Sequence, residues 1–336
     1  MATIKDVARA AGVSSATINR TLTRPDLVLP QTRTRVLEAV ARLGYAPNSA
    51  AASLRTARTR KIIVTVPDIS NSFFSTVIRG VEEAAQEVGY AVLLGDTRDQ
   101  IAREDQYAAM LFTREADGFI FLGHRLPAAL AEMVRRDGAH APIVNGCEFG
   151  GSLDVPSAHI DNAKAATLAA ETLYDAGHRD IAVVTGPLVS PLSRDRLIGV
   201  RAAAEARGLS ARLQVWHGDF SPESGRRCAA EIIEAHIRPT AIFSFSDEMA
   251  IGALAALRAA GIACPDDMSV IGFDDIPMAR YCAPPLTTIR QPSHEIGRQT
   301  VRLLMAILGK SEIKPASVTL PHRLIVRQSV AAPRPA

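Results

Sequence analysis

The residues best equipped for chemistry sit just after short apolar runs. The sequence reads Pro67-Asp68, Gly95-Asp96, Gly123-His124, Gly146-Cys147-Glu148, Gly218-Asp219-Phe220, Ser246-Asp247 and Gly272-Phe273-Asp274. Carboxylates accept hydrogen bonds from hydroxyls, and glycine lets a ligand approach the backbone closely. Any one of these pairs is also an ordinary turn signal. Their recurrence after strand upon strand points to a ligand-binding edge, with His124 and Glu148 among its polar groups. No reactive constellation accompanies it. There is no Gly-x-x-x-x-Gly-Lys-Ser/Thr loop, no Gly-x-Gly-x-x-Gly after the first strand, no His-Glu-x-x-His and no Gly-x-Ser-x-Gly. His159 and Asp161 are two apart on a strand, lack a nucleophile, and read as structural. The four cysteines, Cys147, Cys228, Cys264 and Cys282, form no Cys-x-x-Cys pair. Binding without turnover, and without metal or cofactor, is the expectation.

A second set is Ser15, Ala16, Thr17, Asn19 and Arg20, the outward residues of a short helix near the N-terminus. Short polar groups with one fork-shaped cation suit base edges in a major groove. The elements that hold them follow from spacing. Ile4, Val7, Ala8 and Ala11 give a first helix, and Gly12 breaks it. Ser14 or Ser15 caps a second, with Ile18 and Leu22 inward. Thr32 is expected to cap a third, whose Val36, Leu37, Val40 and Leu43 face the core before Gly44 ends it. Two short helices on a glycine turn, braced by a third, make a helix-turn-helix unit. Residues 1–60 hold ten Lys or Arg against three acids, +7, which leaves −4 for the rest of a 336-residue chain whose total is +3. A basic head on a mildly acidic body suits a polyanion partner such as double-stranded DNA.

From Lys61 onward strands alternate with helices. Strands are expected at Ile62–Val66, Ala91–Leu94, Gly118–Leu122, Pro142–Asn145, Ile181–Thr185, Leu213–Trp216, Ala241–Phe245 and Ser269–Phe273. Helices between them include Phe74–Val88, Ala163–Ala176, Ser193–Arg207 and Glu248–Ala260. Repeated βα units imply an α/β body with parallel, doubly wound sheets. Eight units exceed one lobe, so two Rossmann-like lobes are expected, with the chain crossing between them near residues 160, 288 and 322. Ligands of such sheets sit outside the carboxyl ends of the strands. The division expected is a head at 1–48, a hinge and linker at 49–60, and a two-lobed body at 61–330. No apolar run approaches the roughly 18 residues of a membrane helix. No secretory signal opens the chain, so a cytoplasmic setting with reduced thiols is expected.

Four segments carry a family resemblance: Thr3-Ile4-Lys5-Asp6-Val7-Ala8, Ala11-Gly12-Val13-Ser14, Thr17 with Arg20, and Gly44-Tyr45-Ala46-Pro47-Asn48. Together they resemble the LacI/GalR family of bacterial repressors, and the likeness continues to the end of the chain. It implies a helix-turn-helix head and two lobes of periplasmic-binding-protein type. It also implies operator contacts at Thr3, Ser14, Ser15, Ala16, Thr17, Asn19, Arg20 and Asn48. Ser49 to Arg55 matches the family's hinge helix, which folds on the operator. Leu54 would there be the wedge in the minor groove and Arg55 its neighbour. In the body the likeness is to nucleoside- and purine-responsive members. Phe73, with Phe74 beside it, and Phe220 match aromatic cleft positions. Arg196 and Asp274 match the cation and carboxylate that hold a ligand, and Asp247 follows a common polar contact. Ser190 and Leu192 stand where purine-responsive members carry an arginine and a threonine. That departure favours a nucleoside effector, with a sugar second. The tail lacks leucine heptads, so a homodimer is expected.

Overall fold

The structure is a computed structural model and describes residues 2–46, 58–148, 155–235, 239–309 and 318–334. Its contacts divide the chain into two units, Met1–Thr59 and Arg60–Ala336. Most of the hinge expected at 49–60, with Leu54 and Arg55, and also Asn48, lies outside the described residues.

Among its described residues the first unit holds three α-helices, α1 (Ile4–Ala11), α2 (Ser15–Thr23) and α3 (Pro30–Leu43). Thr3 and Asp6 cap α1 reciprocally: Asp6 N donates to Thr3 Oγ1 at 3.4 Å, and Thr3 N donates to Asp6 Oδ2 at 3.0 Å. Gly12 ends α1 at φ +63°, a left-handed position that favours glycine. Ser14, not Ser15, caps α2, accepting from Thr17 N at 3.2 Å. Val7, Ala8, Ala11, Ile18, Val36 and Ala39 form the core, closed by Ile4, Val13, Leu22, Val40, Leu43 and Tyr45. Two expectations need correction. Helix α3 starts at Pro30, whose fixed φ suits a first helical position, so Thr32 lies inside the helix. Leu37 is 48% exposed, because one residue beyond Val36 turns the side chain about 100° away; Ala39 takes the inner place.

Among its described residues the second unit forms two six-stranded sheets. The first lobe has order β11-β5-β4-β3-β1-β2, with β1 (Lys61–Val66), β2 (Ala91–Asp96), β3 (Gly118–Phe121), β4 (Ile143–Gly146), β5 (Ser157–Ile160) and β11 (Val318–Leu320). The second has order β12-β10-β9-β8-β6-β7, with β6 (Ile181–Thr185), β7 (Leu213–His217), β8 (Ala241–Ser244), β9 (Ser269–Asp274), β10 (Thr287–Arg290) and β12 (Arg323–Ile325). Every described pairing is parallel except that of β12 with β10. The eight expected strands are present within a residue or two. Strand β5, which carries His159 as expected, is only four residues long and buries a serine and that histidine; β11, three residues long, was not expected.

Helices α4 (Ser72–Glu87), α5 (Ile101–Phe112) and α6 (Ala128–Asp137) follow strands of the first lobe. The second lobe carries α7 (Asn162–Asp175), α8 (Pro191–Ala206), α9 (Pro222–Ile233) and α10 (Asp247–Ala259). After β10 the chain returns to the first lobe as α11 (Ser293–Leu308), which lays Leu304 against Gly118 of β3. None of the described helices is long and apolar enough to cross a membrane.

Helices α4 and α11 cross with their backbones nearly touching. A Cβ on Gly80 would lie 2.1 Å from the His294 carbonyl oxygen, and one on Gly297 would lie 2.1 Å from that of Val77. Such clashes cannot be relieved by rotating a side chain. Gly297→Ala is therefore expected to destabilise the body by about 1–3 kcal/mol, the usual cost of overpacking. A lowered thermal midpoint with an unchanged far-UV spectrum would match; an unchanged midpoint would not.

Candidate nucleic-acid interface and ligand cleft

On the head, α2 presents its outer face around an open depression of about 470 Å³. Ser15, Ala16, Asn19 and Arg20 line it together with Ile4, Thr23 and Arg24. Ser14, Thr17 and Thr3 lie beside it with their hydroxyls tied into caps. Ser14 Oγ lies 3.0 Å from Thr17 Oγ1, and Thr3 Oγ1 donates to Asp6 Oδ2 at 2.7 Å. Sequence reasoning passed over Thr23 and Arg24. Both repeat Asn19 and Arg20 at i+4, the spacing that brings helix residues to one face. The result is a cationic concavity fit for a phosphate backbone and base edges.

In the body, the chemistry gathers around Arg196. Helix α8 carries it inward until only 3% of its surface is exposed. Its Nε donates to Asn162 Oδ1 at 2.9 Å, its Nη1 donates to the Phe245 carbonyl, and its guanidinium lies 3.6 Å from the centre of the Phe273 ring. Burial draws its pKa down to about 10, against the support of the Asp274 and Glu148 charges. Asp274 ends β9 with φ +120°, a strained value for a side-chain-bearing residue, and accepts from Gln291 Nε2 at 2.7 Å. Burial raises its pKa and the Arg196 charge opposes the rise.

Glu148 follows β4 in the first lobe and faces Ser190, which precedes α8 in the second. Ser190 Oγ lies 3.2 and 3.1 Å from the two carboxylate oxygens, within reach to donate to either. Burial lifts the Glu148 pKa to about 7, although the Ser190 bond and the Arg196 charge pull it down. Glu148, Arg196 and Asp274 thus form one buried electrostatic cluster drawing on both lobes.

The aromatic residues differ in their exposure. Phe220 has φ +72°, is half-buried, and lays its ring over Gly186; a Cβ there would meet Phe220 Cζ at 2.0 Å. Phe73 keeps only 8% of its surface exposed and sits in the core, edge-on to half-buried Phe74 with ring centres 5.4 Å apart. His124 is half-buried, and burial lowers its pKa. Asp247 needs correction as a ligand contact. It has no exposed surface, its Oδ1 accepts from Thr288 Oγ1 at 2.6 Å, and its Oδ2 accepts from Ile276 N at 2.9 Å. It braces α10 against the loop after β9 and against β10. Sequence reasoning missed Gln291, which nothing in its local pattern marks. Among the described residues no group of three or more His, Cys, Asp or Glu could hold a metal.

Residues 3–48 match the family described as bacterial regulatory proteins, lacI family, and residues 170–330 match a periplasmic binding protein-like domain. The HTH-type transcriptional repressor CytR of Escherichia coli strain K12 is 39% identical over 332 residues, covering 98% of this chain and 97% of that relative. This chain belongs to the lacI family. The HTH-type transcriptional repressor PurR of Escherichia fergusonii is 35% identical over 333 residues, 98% of this chain and 97% of its own. The crystal structure of the lac repressor dimer bound to operator and the anti-inducer ONPF superposes with a TM-score of 0.87 at 27% identity, covering 98% and 99% of the two chains. As a lacI-family protein, this chain is a DNA-binding transcriptional repressor under small-molecule control. Members of the family are regulators rather than enzymes.

The buried carboxyl of this lacI-family cleft predicts a pH dependence. Glu148 titrates near 7 in the folded chain and near 4.5 as an ordinary glutamate. Between those values the folded state keeps a proton that the unfolded state has released, so stability falls as pH rises through the window. Above it the cost is on the order of 3 kcal/mol. Glu148→Gln, which mimics the protonated acid, should melt close to the parent at pH 5 and clearly above it at pH 8. Parallel melting curves for the two proteins across that range would refute the assignment.

Proposed function

We propose that the chain is a homodimeric, cytoplasmic repressor whose operator affinity is set by a nucleoside bound between the two lobes of its body. The observation that carries this reading is the buried Glu148–Arg196–Asp274 cluster. It offers hydrogen-bond acceptors and one cation to a ligand's hydroxyls, with the Phe220 ring nearby for a flat base. Phe74 and His124 complete the proposed lining, with the exposed edge of Phe73. No metal, cofactor or turnover is assigned to the site. The dimeric lac repressor supports the dimer, which would place one head on each half of a near-palindromic operator. Ser15, Ala16, Thr17, Asn19 and Arg20 would face base edges, with Thr3, Ser14 and Asn48 as further operator contacts. Leu54 and Arg55 would take the minor groove. A sugar is the second reading, because the same polar cluster would hold a pentose without a base. A sugar- or nucleoside-processing enzyme is the third.

Ligand and operator are then linked: a ligand that favours one lobe arrangement changes operator affinity, and the operator changes ligand affinity by the same factor. Melting the protein with cytidine, adenosine, hypoxanthine and ribose separates the readings. A rise with a nucleoside that ribose does not reproduce supports the first; a rise with ribose alone supports the second. Conversion of any nucleoside to product on long incubation would restore the enzyme. Asp274→Ala is expected to abolish the ligand's rise while the protein stays folded; a full rise would remove Asp274 from the site. On duplex DNA selected from a random pool, Arg20→Ala is expected to weaken binding about 10- to 100-fold, the scale of one bidentate base contact. Equal titration curves would remove Arg20 from the interface.

A further inference from the structure

A second contact between the lobes uses none of the cluster residues. Ser72 is the first residue of α4 in the first lobe, and Glu248 lies in the first turn of α10 in the second. Glu248 Oε1 accepts twice from Ser72, from its backbone N–H at 3.2 Å and from its Oγ at 2.5 Å. The leading amides of a helix have no partner within the helix. The next amide, that of Phe73, is taken by Asn71 Oδ1 at 3.0 Å, inside the same lobe. The Ser72 amide is satisfied instead from the other lobe, by a charged acceptor, which makes the stronger kind of hydrogen bond.

We infer that Ser72 and Glu248 form a latch between the lobes and act as positioning residues for the ligand response. This rests on the reading of the body as a ligand-operated switch, although neither Ser72 nor Glu248 is itself a proposed ligand contact. Two donors on one oxygen, one of them a rigid backbone amide, fix the position of α4 against α10. The Glu248 charge also reaches Asp274 and is one reason that its carboxyl resists ionising. Closing the lobes and preparing the ligand-facing carboxylate are therefore parts of one arrangement. The pair holds the lobes in register through the protein's own groups. A ligand then has only to complete a closure that is already guided.

Hydrogen exchange on the full-length chain, with no ligand added, tests this directly. Glu248→Ala should speed exchange of the Ser72 amide by about tenfold or more, the signature of a lost local closing contact, while the Phe73 amide changes little. Glu248→Gln keeps the acceptor oxygen and should restore most of the protection. Small-angle scattering should show a larger radius of gyration for Glu248→Ala and not for Glu248→Gln. Should Glu248→Ala fail to fold, Ser72→Ala removes the Oγ donor alone and should give a smaller change of the same sign. Equal exchange at Ser72 in parent and variants, or raised exchange with unchanged dimensions, would overturn the latch. Both readouts are free of ligand. If cytidine fails to bind the parent, the nucleoside reading falls and the latch is still judged on its own data.

Discussion

The body is organised around a cation that water barely reaches. An isolated ion in such a place would be severely destabilising. Arg196 is tolerated because its Nε, its Nη1 and its planar face each have a partner from a different element. Asn162 comes from the start of α7, the Phe245 carbonyl from the end of β8, and the Phe273 ring from the end of β9. These contacts fix where three elements of the second lobe converge on α8. The Asp274 and Glu148 charges supply the counterweight, yet burial works against their ionisation. The cluster is thus polar, dry and incompletely neutralised. Those properties suit the holding of hydroxyls and are poorly suited to packing alone.

The backbone makes room for this arrangement at a few specific points. Gly186 exists so that the Phe220 ring can lie across the end of β6. At Gly272, a Cβ would press to 2.2 Å of Asp247 Oδ1 and break the brace under the neighbouring strand ends. Asp274 and Asp275 both take positive φ, a combination that costs free energy and needs support. Asp275 receives it from two arginines, Arg290 and Arg327, the second of which follows β12. The returning tail therefore helps to hold the Asp274 carboxylate in its strained pose.

Much of this was legible in the residues. The helices of the head followed from apolar spacing and caps, because local rules decide them. The strand ends named Glu148 and Asp274, since a glycine or carboxylate after an apolar run marks where a strand stops. Asp247 fits the same pattern and misleads, because one residue's turn into a helix start buries it beneath Thr288 and Ile276. Pairings over long separations were hidden. Ser72 meets Glu248 across 176 positions and Glu148 meets Ser190 across 42. Neither member of such a pair differs locally from an ordinary cap or loop residue. Leu37 shows the opposite limit: an apolar residue in a good helix, misread by one step of 100°.

The charges around the cleft also bear on what kind of ligand the proposed nucleoside could be. A phosphate group would bring at least one full negative charge toward Glu148 and Asp274, met by Arg196 and, near Glu148, by the Arg194 charge. Arg196 already commits two of its five N–H groups, to Asn162 and Phe245. Ionised phosphate would further oppose ionisation of two carboxyls whose burial already holds them near neutrality. A ribose asks for the reverse: acceptors for its hydroxyl protons, and a donor for one of its oxygens. The Ser190–Glu148 bond spans the lobes and involves a carboxyl poised to gain or lose its proton. A ligand hydroxyl that took its place would leave little net difference, whereas a ligand that broke it unreplaced would remove about 1.5–3 kcal/mol. That is the scale of the coupling between two sites in an allosteric protein, typically 1–3 kcal/mol. Loss or gain of one carboxylate contact between the lobes thus falls in the range that the proposed ligand control would need.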